Sequence, residues 1–267
     1  MLPEVREFSA KQFVKTRCAT DGTSSFLAWS GYLYSFMPDE PRRKLFKIVG
    51  MNVGRCIDQG DGVWDFTSRE VLLYLDPESG EIQRHWQNPW TGDMVSVMHV
   101  ANSPIQGTFR RNIPAEVDGA TTTFIFDLFG HYPNPLADDP QYAEYCDRPM
   151  YNSVELFKLS VPTADLEDPN TTTVSELTLS WHRVGPWLPW MKMGQRSGNL
   201  IYSCFGKKVQ GFQDLPTILK KEIETRIPMF MDAPLQKLED AEMTSWQYFK
   251  EHFAAYQQGA TFPIPSK

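Results

Sequence analysis

The segment VWDFTSREVLLYLDPESGEIQRHWQ, Val63–Gln87, decides the fold class of this chain. Val63–Asp76 is rich in β-branched and aromatic residues, which favour an extended strand. Pro77–Gly80 places proline and glycine where a tight turn needs them, and Glu81–Gln87 then runs back. Two extended segments joined by a short turn predict an antiparallel hairpin.

Segments of the same kind continue along the chain. Met94–Ala101 is apolar at almost every position, which predicts a strand covered on both faces. Further strands are expected at Ser25–Pro38, Lys44–Val53, Gln106–Asn112, Thr121–Phe129, Val154–Val161, Val174–Val184, Asn199–Cys204 and Lys207–Phe212, the last two as a hairpin. A sheet of this many strands avoids exposed edges best by closing. We therefore predict a mainly β fold, an antiparallel meander closing into a lipocalin-like β-barrel.

The two ends of the chain differ from this pattern. Residues 1–24 predict an N-terminal arm or helix, in which Ser9 is a candidate N-cap. Residues 25–212 are assigned to the barrel, and residues 213–267 to a helical segment packed outside it. Within that segment, apolar residues at helical spacing predict helices at Pro216–Ile227 and Ala241–Gln257. We expect one domain over all 267 residues.

Charge and composition exclude several classes of partner. The formal net charge is −7 and lysine and arginine form no block, which argues against a nucleic-acid partner. No segment reaches the roughly 20 apolar residues of a membrane span. The four cysteines stand singly and the N-terminus lacks an apolar signal segment, so we expect reduced thiols and a cytoplasmic protein. A homodimer is one possible oligomeric state of the protein.

The most unusual stretch is SWHRVGPWLPWMKMGQRSG, Ser180–Gly198, which combines tryptophan, methionine and basic residues. Large aromatic and adaptable methionine side chains are suited to the wall of a pocket for an apolar ring system. The candidate substrate-binding residues here are Trp181, Trp187, Trp190, Met191, Met193 and Arg196. Packing in the core is the alternative for each of them.

Arg183 is the first candidate catalytic residue. In a strand it shares a face with Trp181, so an anionic oxygen of the substrate would be held beside an indole ring. His99 is the second, because an imidazole titrates near neutral pH and lies here in an apolar strand. A core histidine is its alternative. Asp65, flanked by aromatic residues, is the third, with an outward-facing strand residue as its alternative.

Other polar and aromatic residues complete the expected binding site. They are Arg84, Trp86, Asn88 and Tyr202. The chain has no glycine-rich phosphate loop, and its five histidines show no metal-ligand spacing. We therefore expect neither a cofactor nor a metal, and an apolar small molecule as the substrate.

Three segments carry a resemblance to a known family: TSREVLLYLDPESGEIQRHWQNPWTG at Thr67–Gly92, SWHRVGPWLPWMKMGQRSGNLIY at Ser180–Tyr202, and GFQDLP at Gly211–Pro216. Through them the chain resembles the domain of unknown function 1838 family of bacteria and fungi. The resemblance implies a cofactor-independent enzyme of natural-product biosynthesis, similar to the hetero-Diels–Alderases of tropolonic sesquiterpene pathways. There, a hydroxymethyl tropolone or phenol loses water, and the resulting o-quinone methide adds to a humulene-type sesquiterpene.

Alternative functions come from other classes of protein. A non-catalytic barrel that carries an apolar molecule needs no buried ionisable groups, so outward-facing His99, Asp65 and Arg183 would favour it. Another cofactor-free isomerase or dehydratase is a further alternative. A structural or assembly protein would use the tryptophan cluster as an interface anchor, which predicts that the cluster is exposed on a flat surface.

Overall fold

A computed structural model describes residues 3–146, 148–239 and 244–260 of the chain. Strands make up 45% and helices 19%. Within the described residues, the strands are β1 (Glu4–Phe8), β2 (Ser25–Phe36), β3 (Lys44–Asp58), β4 (Trp64–Leu75), β5 (His85–Gln87), β6 (Met94–Ser96), β7 (Val100–Phe109), β8 (Ile113–Asp118), β9 (Thr121–Pro133), β10 (Met150–Pro162), β11 (Thr178–Gly185) and β12 (Asn199–Val209). The α-helices are α1 (Ala10–Arg17), α2 (Thr163–Glu167), α3 (Thr217–Arg226), α4 (Ser245–Glu251) and α5 (Phe253–Gln257).

Ten of these strands form one antiparallel sheet, which confirms the predicted mainly β meander. Its order is β1-β8-β9-β10-β11-β12-β2-β3-β4-β7, and β5 and β6 form a separate hairpin. The sheet curls into a half-barrel. Strands β1 and β7 are its edges, so hydrogen bonds do not close the barrel in the described part of the chain.

The two edge regions of the sheet are nevertheless close at one end. Strand β7 ends at Phe109 and β8 begins at Ile113, so these ends of the two strands lie at most about 14 Å apart. Phe13 of α1 packs edge-on against Phe109 at 5.0 Å and against Phe126 of β9 at 5.3 Å between ring centroids. Aromatic side chains therefore fill the gap that backbone pairing leaves.

The central strands β3 and β4 are apolar on both faces because the chain covers both. On β4, Leu72 and Tyr74 point into the half-barrel, whereas Val71 and Leu73 pack outside. Leu219 and Ile223 of α3 belong to that outer cluster. The near-continuous apolar segment VLLYL is thus a strand between two layers, as burial on both faces requires.

The predicted hairpin at residues 199–212 was wrong. Residues Asn199–Val209 form one continuous strand, which pairs with β11 on one side and β2 on the other. Gly206, which resembled a turn residue, lies within that strand. A Cβ atom there would lie 2.6 Å from the Ala28 carbonyl oxygen and 2.8 Å from the Trp29 Cβ, so glycine permits a close approach of β2.

The N-terminal region contains a strand as well as the predicted helix. Strand β1 pairs with β8 at the sheet edge. Ser9 caps α1, since its hydroxyl accepts from the Gln12 backbone N–H while the Gln12 side chain accepts from the Ser9 backbone N–H. This reciprocal pair is the capping box that fixes the start of a helix.

The C-terminal helices take two different positions. Helix α3 packs on the outer face, as predicted for the whole segment. Helices α4 and α5 instead join the inner core, where Trp246 packs edge-on against Tyr151 at 5.0 Å. Residues 241–243 of the predicted second helix lie outside the described residues. Among the described helices, none is long and apolar enough to cross a bilayer.

Candidate active site

The concave side of the half-barrel encloses a cavity of about 560 Å³. This volume is typical of small-molecule sites. Its aromatic wall consists of Phe13, Trp29, Phe109, Phe126, Phe157, Trp181 and Trp246. Its polar groups are Arg17, Asn52, Glu70, Asn102, Glu155, Arg183, Thr244, Ser245 and the four tyrosines Tyr74, Tyr132, Tyr151 and Tyr202. An apolar chamber with a few converging polar groups is the usual form of a binding or catalytic site.

Arg183 anchors one polar end of this cavity. Its Nη2 donates to the Tyr151 hydroxyl at 2.7 Å, and its Nε lies 3.5 Å from Glu155 Oε1. The guanidinium also lies 5.1 Å from the centre of the Tyr202 ring. Trp181 Nε1 donates to the other oxygen of Glu155 at 2.9 Å. The cation is therefore held rigidly by three neighbours, as a group that orients an anionic oxygen must be.

The sequence of β11 explains why Arg183 points inward. Alternate residues of a strand share a face, so Leu179, Trp181, Arg183 and Gly185 all face the cavity side. A Cβ atom at Gly185 would lie 2.8 Å from Arg183 Nη2. Glycine at this position leaves the space that the guanidinium occupies.

Two buried tyrosines extend this polar end. The hydroxyls of Tyr74 and Tyr202 lie 3.1 Å apart and are hydrogen-bonded. Burial raises the pKa of Tyr202 to about 12, although the Arg183 cation opposes this shift. Burial also raises the pKa of Tyr74 above its ordinary value. Both phenols are therefore neutral at physiological pH and available as hydrogen-bond donors.

Glu70 is a carboxyl residue of the cavity whose pKa is shifted towards neutral pH. It shares the inner face of β4 with Leu72 and Tyr74. Burial raises the pKa of Glu70 to about 7, and the carboxylate of Glu155 adds to this rise, while Arg17 and Arg183 oppose it. A carboxylic acid that titrates near neutral pH in a cavity is suited to general acid–base catalysis.

Arg17 forms a second cationic group at the cavity wall. Its Nη2 donates to the Asn52 side-chain oxygen, and the guanidinium lies 4.8 Å from the centre of the Phe66 ring. Its Nη1 is buried and has no hydrogen-bond partner among the described residues. Asn52 also donates to Ser68 Oγ at 3.2 Å, which fixes the amide that holds Arg17.

Neither Glu70 nor Arg17 was predicted as a site residue. The sequence signal for Glu70 is a lone acidic residue two positions before Leu72, on the inward face of a strand that is apolar on both sides. Arg17 ends α1, and nothing in its spacing indicates that this helix contributes to the cavity lining.

Three of the predicted site residues come together in the cavity: Arg183, Trp181 and Tyr202. The other predicted residues of the tryptophan-rich stretch, Trp187, Trp190, Met191 and Met193, are buried in the core and do not line it. Arg196 is exposed, and its Nη2 lies 3.4 Å from the Trp90 carbonyl oxygen.

Trp190 is the centre of a packed aromatic cluster rather than a pocket wall. It contacts Phe46 at 5.8 Å, Trp86 at 6.1 Å and Tyr74 at 5.5 Å between ring centroids. It is fully buried, and Trp187 is only 6% exposed. The expectation of an exposed cluster, which belongs to the assembly-protein alternative, was therefore wrong.

Asn88 joins the two most distinctive sequence segments. Its Nδ2 donates to the Met191 carbonyl oxygen at 2.6 Å and contacts Met193 Sδ at 3.3 Å. Its Oδ1 accepts from the backbone N–H groups of Trp90 and Thr91. Asn88 is buried and holds the chain after β5 against the chain after β11, so its place in this structure is in packing and not at the cavity.

The remaining predicted residues also lie away from the cavity lining. His99 is buried behind Tyr74, and its Nδ1 accepts from the Tyr74 backbone N–H at 3.1 Å. Burial lowers its pKa to about 3, so it is neutral. Asp65 accepts from Thr108 and pairs with Lys237 at 3.2 Å, and Arg84 pairs with Glu222 of α3 at 2.9 Å. The curvature of the sheet and the register of its strands separate these residues from Arg183, and neither can be read from the local sequence.

None of the cysteines lines the cavity in the described part of the chain. The four cysteines are free thiols, of which Cys18, Cys56 and Cys204 are buried. Burial raises the pKa of Cys204 to about 12, which keeps it protonated. Among the described residues, no three His, Cys, Asp or Glu side chains are grouped to hold a metal ion.

Comparison with known proteins identifies the family of the chain. No curated protein sequence matches it. Residues 22–253 match the model of the family described as "Protein of unknown function (DUF1838)". This match spans β2 to α4 and ends at the first residue of α5, and so includes the strands that carry Glu70 and Arg183. Because the match covers most of the sequence, the chain belongs to the DUF1838 family.

Proposed function

We propose that this chain is an enzyme that converts an apolar, ring-containing small molecule by general acid–base catalysis. The observation that carries the proposal is Glu70, a carboxyl group with a pKa of about 7 inside an aromatic cavity. Loss of water from a hydroxymethyl phenol or tropolone is the reaction that these groups serve best, since it needs an acid for the leaving hydroxyl and a site for the ring oxygen.

The proposed step balances within the substrate and Glu70. The Glu70 carboxylic acid donates its proton to the hydroxyl of the hydroxymethyl group, the C–O bond breaks, and water leaves. The ring hydroxyl then gives its proton to the Glu70 carboxylate, which yields a neutral o-quinone methide and restores the acid. Arg183 and Tyr202 donate hydrogen bonds to the ring oxygen, which favours the loss of its proton and its conversion to the carbonyl oxygen of the quinone methide.

The second step is the addition of the quinone methide to an alkene, as in a hetero-Diels–Alder reaction. The aromatic wall supports this part of the proposal, because a largely apolar lining is suited to hold two apolar reactants together and away from water. Orientation alone lowers a bimolecular barrier by about 7–11 kcal/mol in favourable cases. A humulene-type sesquiterpene is the apolar alkene that we propose for this step.

The test is an assay of the purified protein with no added cofactor. o-Hydroxybenzyl alcohol or a hydroxymethyl tropolone is incubated with humulene, and adducts are measured by chiral chromatography and mass spectrometry against a control without protein. We expect accelerated, stereoselective adduct formation, and a loss of about 10²–10⁴-fold in Glu70→Gln. Glu116→Gln, an exposed carboxylate on β8, is the matched control and should keep full activity.

Three other outcomes would contradict the proposal in whole or in part. Tight binding of either compound without acceleration would identify a carrier. Absence of both binding and conversion would exclude this class of substrate. Full activity of Glu70→Gln would exclude Glu70 as the acid while leaving the cavity as the binding site.

A further inference from the structure

The cavity is lined by two arginine side chains, and they differ in their partners. Arg183 forms an ion pair with Glu155. Arg17 forms no ion pair with any residue that the structure describes. Its Nη2 donates to a neutral acceptor, the Asn52 side-chain oxygen, and its Nη1 has no described hydrogen-bond partner. Arg17 thus brings to the cavity wall a positive charge that no described carboxylate contacts.

The surroundings of Arg17 hold its guanidinium in place. The guanidinium lies 4.8 Å from the centre of the Phe66 ring. Asn52, which accepts from it, donates in turn to Ser68 Oγ at 3.2 Å. A cation that is already fixed loses little conformational entropy when it binds an anion. The site is therefore built for a charged group before any ligand enters.

The register of the strands places further polar groups beside Arg17. Asn52 of β3 is opposite Glu70 of β4, and Glu70 is opposite Asn102 of β7. All three line the cavity, so they form one polar row across its wall. The side-chain amide of Asn102 can donate to an oxygen atom. This end of the cavity thus combines a cation, an amide donor and a carboxyl group, while the rest of the lining is largely apolar.

We propose that this end of the cavity binds a carboxylate of the substrate, so that the substrate is a ring-containing monocarboxylic acid. The inference deepens the proposed function and rests on it, because it takes the same cavity as the substrate site. Arg17 binds the carboxylate through charge-assisted hydrogen bonds, and Asn102 donates to it. A single arginine without a glycine-rich loop suits the one charge of a carboxylate rather than a phosphate group, for which such loops supply several backbone donors.

The bound carboxylate also favours the acid form of Glu70. Burial and Glu155 raise the pKa of Glu70 to about 7, whereas Arg17 and Arg183 oppose this rise. The nearby phenol of Tyr74 is neutral, because burial raises its pKa. An anion on Arg17 offsets the influence of that cation, so Glu70 takes up a proton as the ligand binds. The affinity for the carboxylate should therefore fall as the pH rises through about 7.

The test compares two ligands that lack a hydroxymethyl group and so cannot react: p-biphenylacetate and its neutral amide. Isothermal titration calorimetry at about pH 6 should show that wild type binds the acid at least about 10-fold more tightly than the amide. Arg17→Gln should lose this preference and bind the amide as wild type does. Arg42→Gln replaces an exposed arginine outside the cavity lining and is the matched control, which should keep the preference.

A second measurement follows the proton that Glu70 takes up. At about pH 7 the heat of binding of the acid to wild type should depend on the ionisation enthalpy of the buffer, and in Glu70→Gln it should not. The amide should show no such dependence with either protein. Circular dichroism and thermal unfolding check that each variant is folded.

The outcomes separate this inference from the proposed reaction. Equal affinity of wild type for acid and amide, no binding of the acid, or a preference for the acid that Arg17→Gln leaves unchanged would overturn the carboxylate site. Binding of the acid through Arg17, together with no conversion of o-hydroxybenzyl alcohol, would support the carboxylate site and reject the proposed reaction.

Discussion

The carboxyl group of Glu70 is under opposing electrostatic influences. Burial and the neighbouring Glu155 favour its protonated form, whereas Arg17 and Arg183 favour its charged form. The balance leaves its pKa at about 7, against an ordinary value of 4.5. Two carboxyl groups in one cavity thus have different surroundings: Glu155 pairs with Arg183, and Glu70 is free to exchange a proton.

This shift makes the stability of the fold depend on pH. Because the pKa of Glu70 is higher in the folded than in the unfolded chain, its contribution is fully present below about pH 4.5 and is lost as the pH rises through 7. The difference corresponds to about 3 kcal/mol. Glu70→Gln, which stays neutral, should therefore be more stable than wild type at pH 8, and about equal to it at pH 4.5. Urea unfolding at several pH values measures this.

Glu116→Gln serves as the control for that measurement too. Its carboxyl group is exposed on β8, so its replacement should leave the pH profile of stability unchanged. Equal stability of wild type and Glu70→Gln at pH 8 would show that Glu70 is ionised without cost in the folded protein, and would remove its suitability as an acid.

Single residues were predictable only where strand alternation decided their direction. The shared face of Trp181 and Arg183 followed from their spacing, and both line the cavity. Trp187 and Trp190 follow the end of β11, where the alternation of a strand no longer predicts which way a side chain points. Their residue type alone did not show whether they line a pocket or pack in the core. Glu70 was overlooked because an acidic residue in a strand usually faces solvent; only the outer cover by α3 makes the inner position evident.

In strand β11, Gly185 leaves space for the side chain of Arg183, which lies two residues earlier on the same face. Gly185 is buried, and the guanidinium of Arg183 occupies the space beside its Cα atom. Tyr151 and Glu155 of β10 hold that guanidinium from the adjacent strand. The position of the cation therefore depends on two strands and on a missing methyl group.

Gly185→Ala should displace Arg183 from this position. The new methyl would lie 2.8–2.9 Å from the guanidinium, so the contact with Tyr151 or Glu155 must lengthen. We expect a loss of about 1–3 kcal/mol in the free energy of unfolding, together with weaker binding of o-hydroxybenzyl alcohol. Thermal unfolding and isothermal titration calorimetry measure the two effects.

The matched control for stability is Gly107→Ala in β7. A Cβ atom at Gly107 would meet no atom within 4 Å. The substitution should leave stability unchanged or raise it by less than about 1 kcal/mol. A comparable loss in both variants would mean that strand glycines as such, and not the contact with Arg183, determine the result.

Most elements were predictable from period and turn chemistry, and the exceptions have structural reasons. Residues 64–75 and 121–133 form strands because β-branched and aromatic residues dominate them. Strand β12 was divided wrongly at Gly206, since sequence does not distinguish a glycine at a turn from one beneath a neighbouring strand. Strand β1 has only five residues, and its pairing with β8 is visible only in three dimensions.

At the scale of the whole molecule, the C-terminal helices α4 and α5 complete the inner core. Phe249 of α4 is fully buried and packs against Tyr145 and Tyr256 at 5.2 and 5.0 Å between ring centroids. The Tyr256 hydroxyl lies 3.2 Å from the Ser96 carbonyl oxygen and 3.3 Å from the Trp190 carbonyl oxygen, so its single proton is shared between them. These contacts attach α4 and α5 to both the aromatic cluster and the chain before β7, and place Trp246 at the cavity.

Phe249→Ala should weaken the packing of α4 and α5 against the inner core without unfolding the sheet. Removal of a buried phenylalanine costs about 3–5 kcal/mol. We expect faster amide hydrogen exchange in residues 244–260, and unchanged exchange in α3 on the opposite face. Leu235→Ala, an exposed apolar residue, is the control and should change neither. Faster exchange throughout the sheet would instead show that the helices and the sheet unfold as one unit.

The pairing of β12 with β2 also determines when the sheet can form during synthesis. Strands β2, β3, β4 and β7 are all made before β8 and can pair in order, but the free edge of β2 has no partner until residues 199–209 have been made. Unpaired strand edges are templates for aggregation. The nascent chain therefore carries an exposed edge through the translation of β8 to β11, and a chaperone that shields such edges would act in this interval.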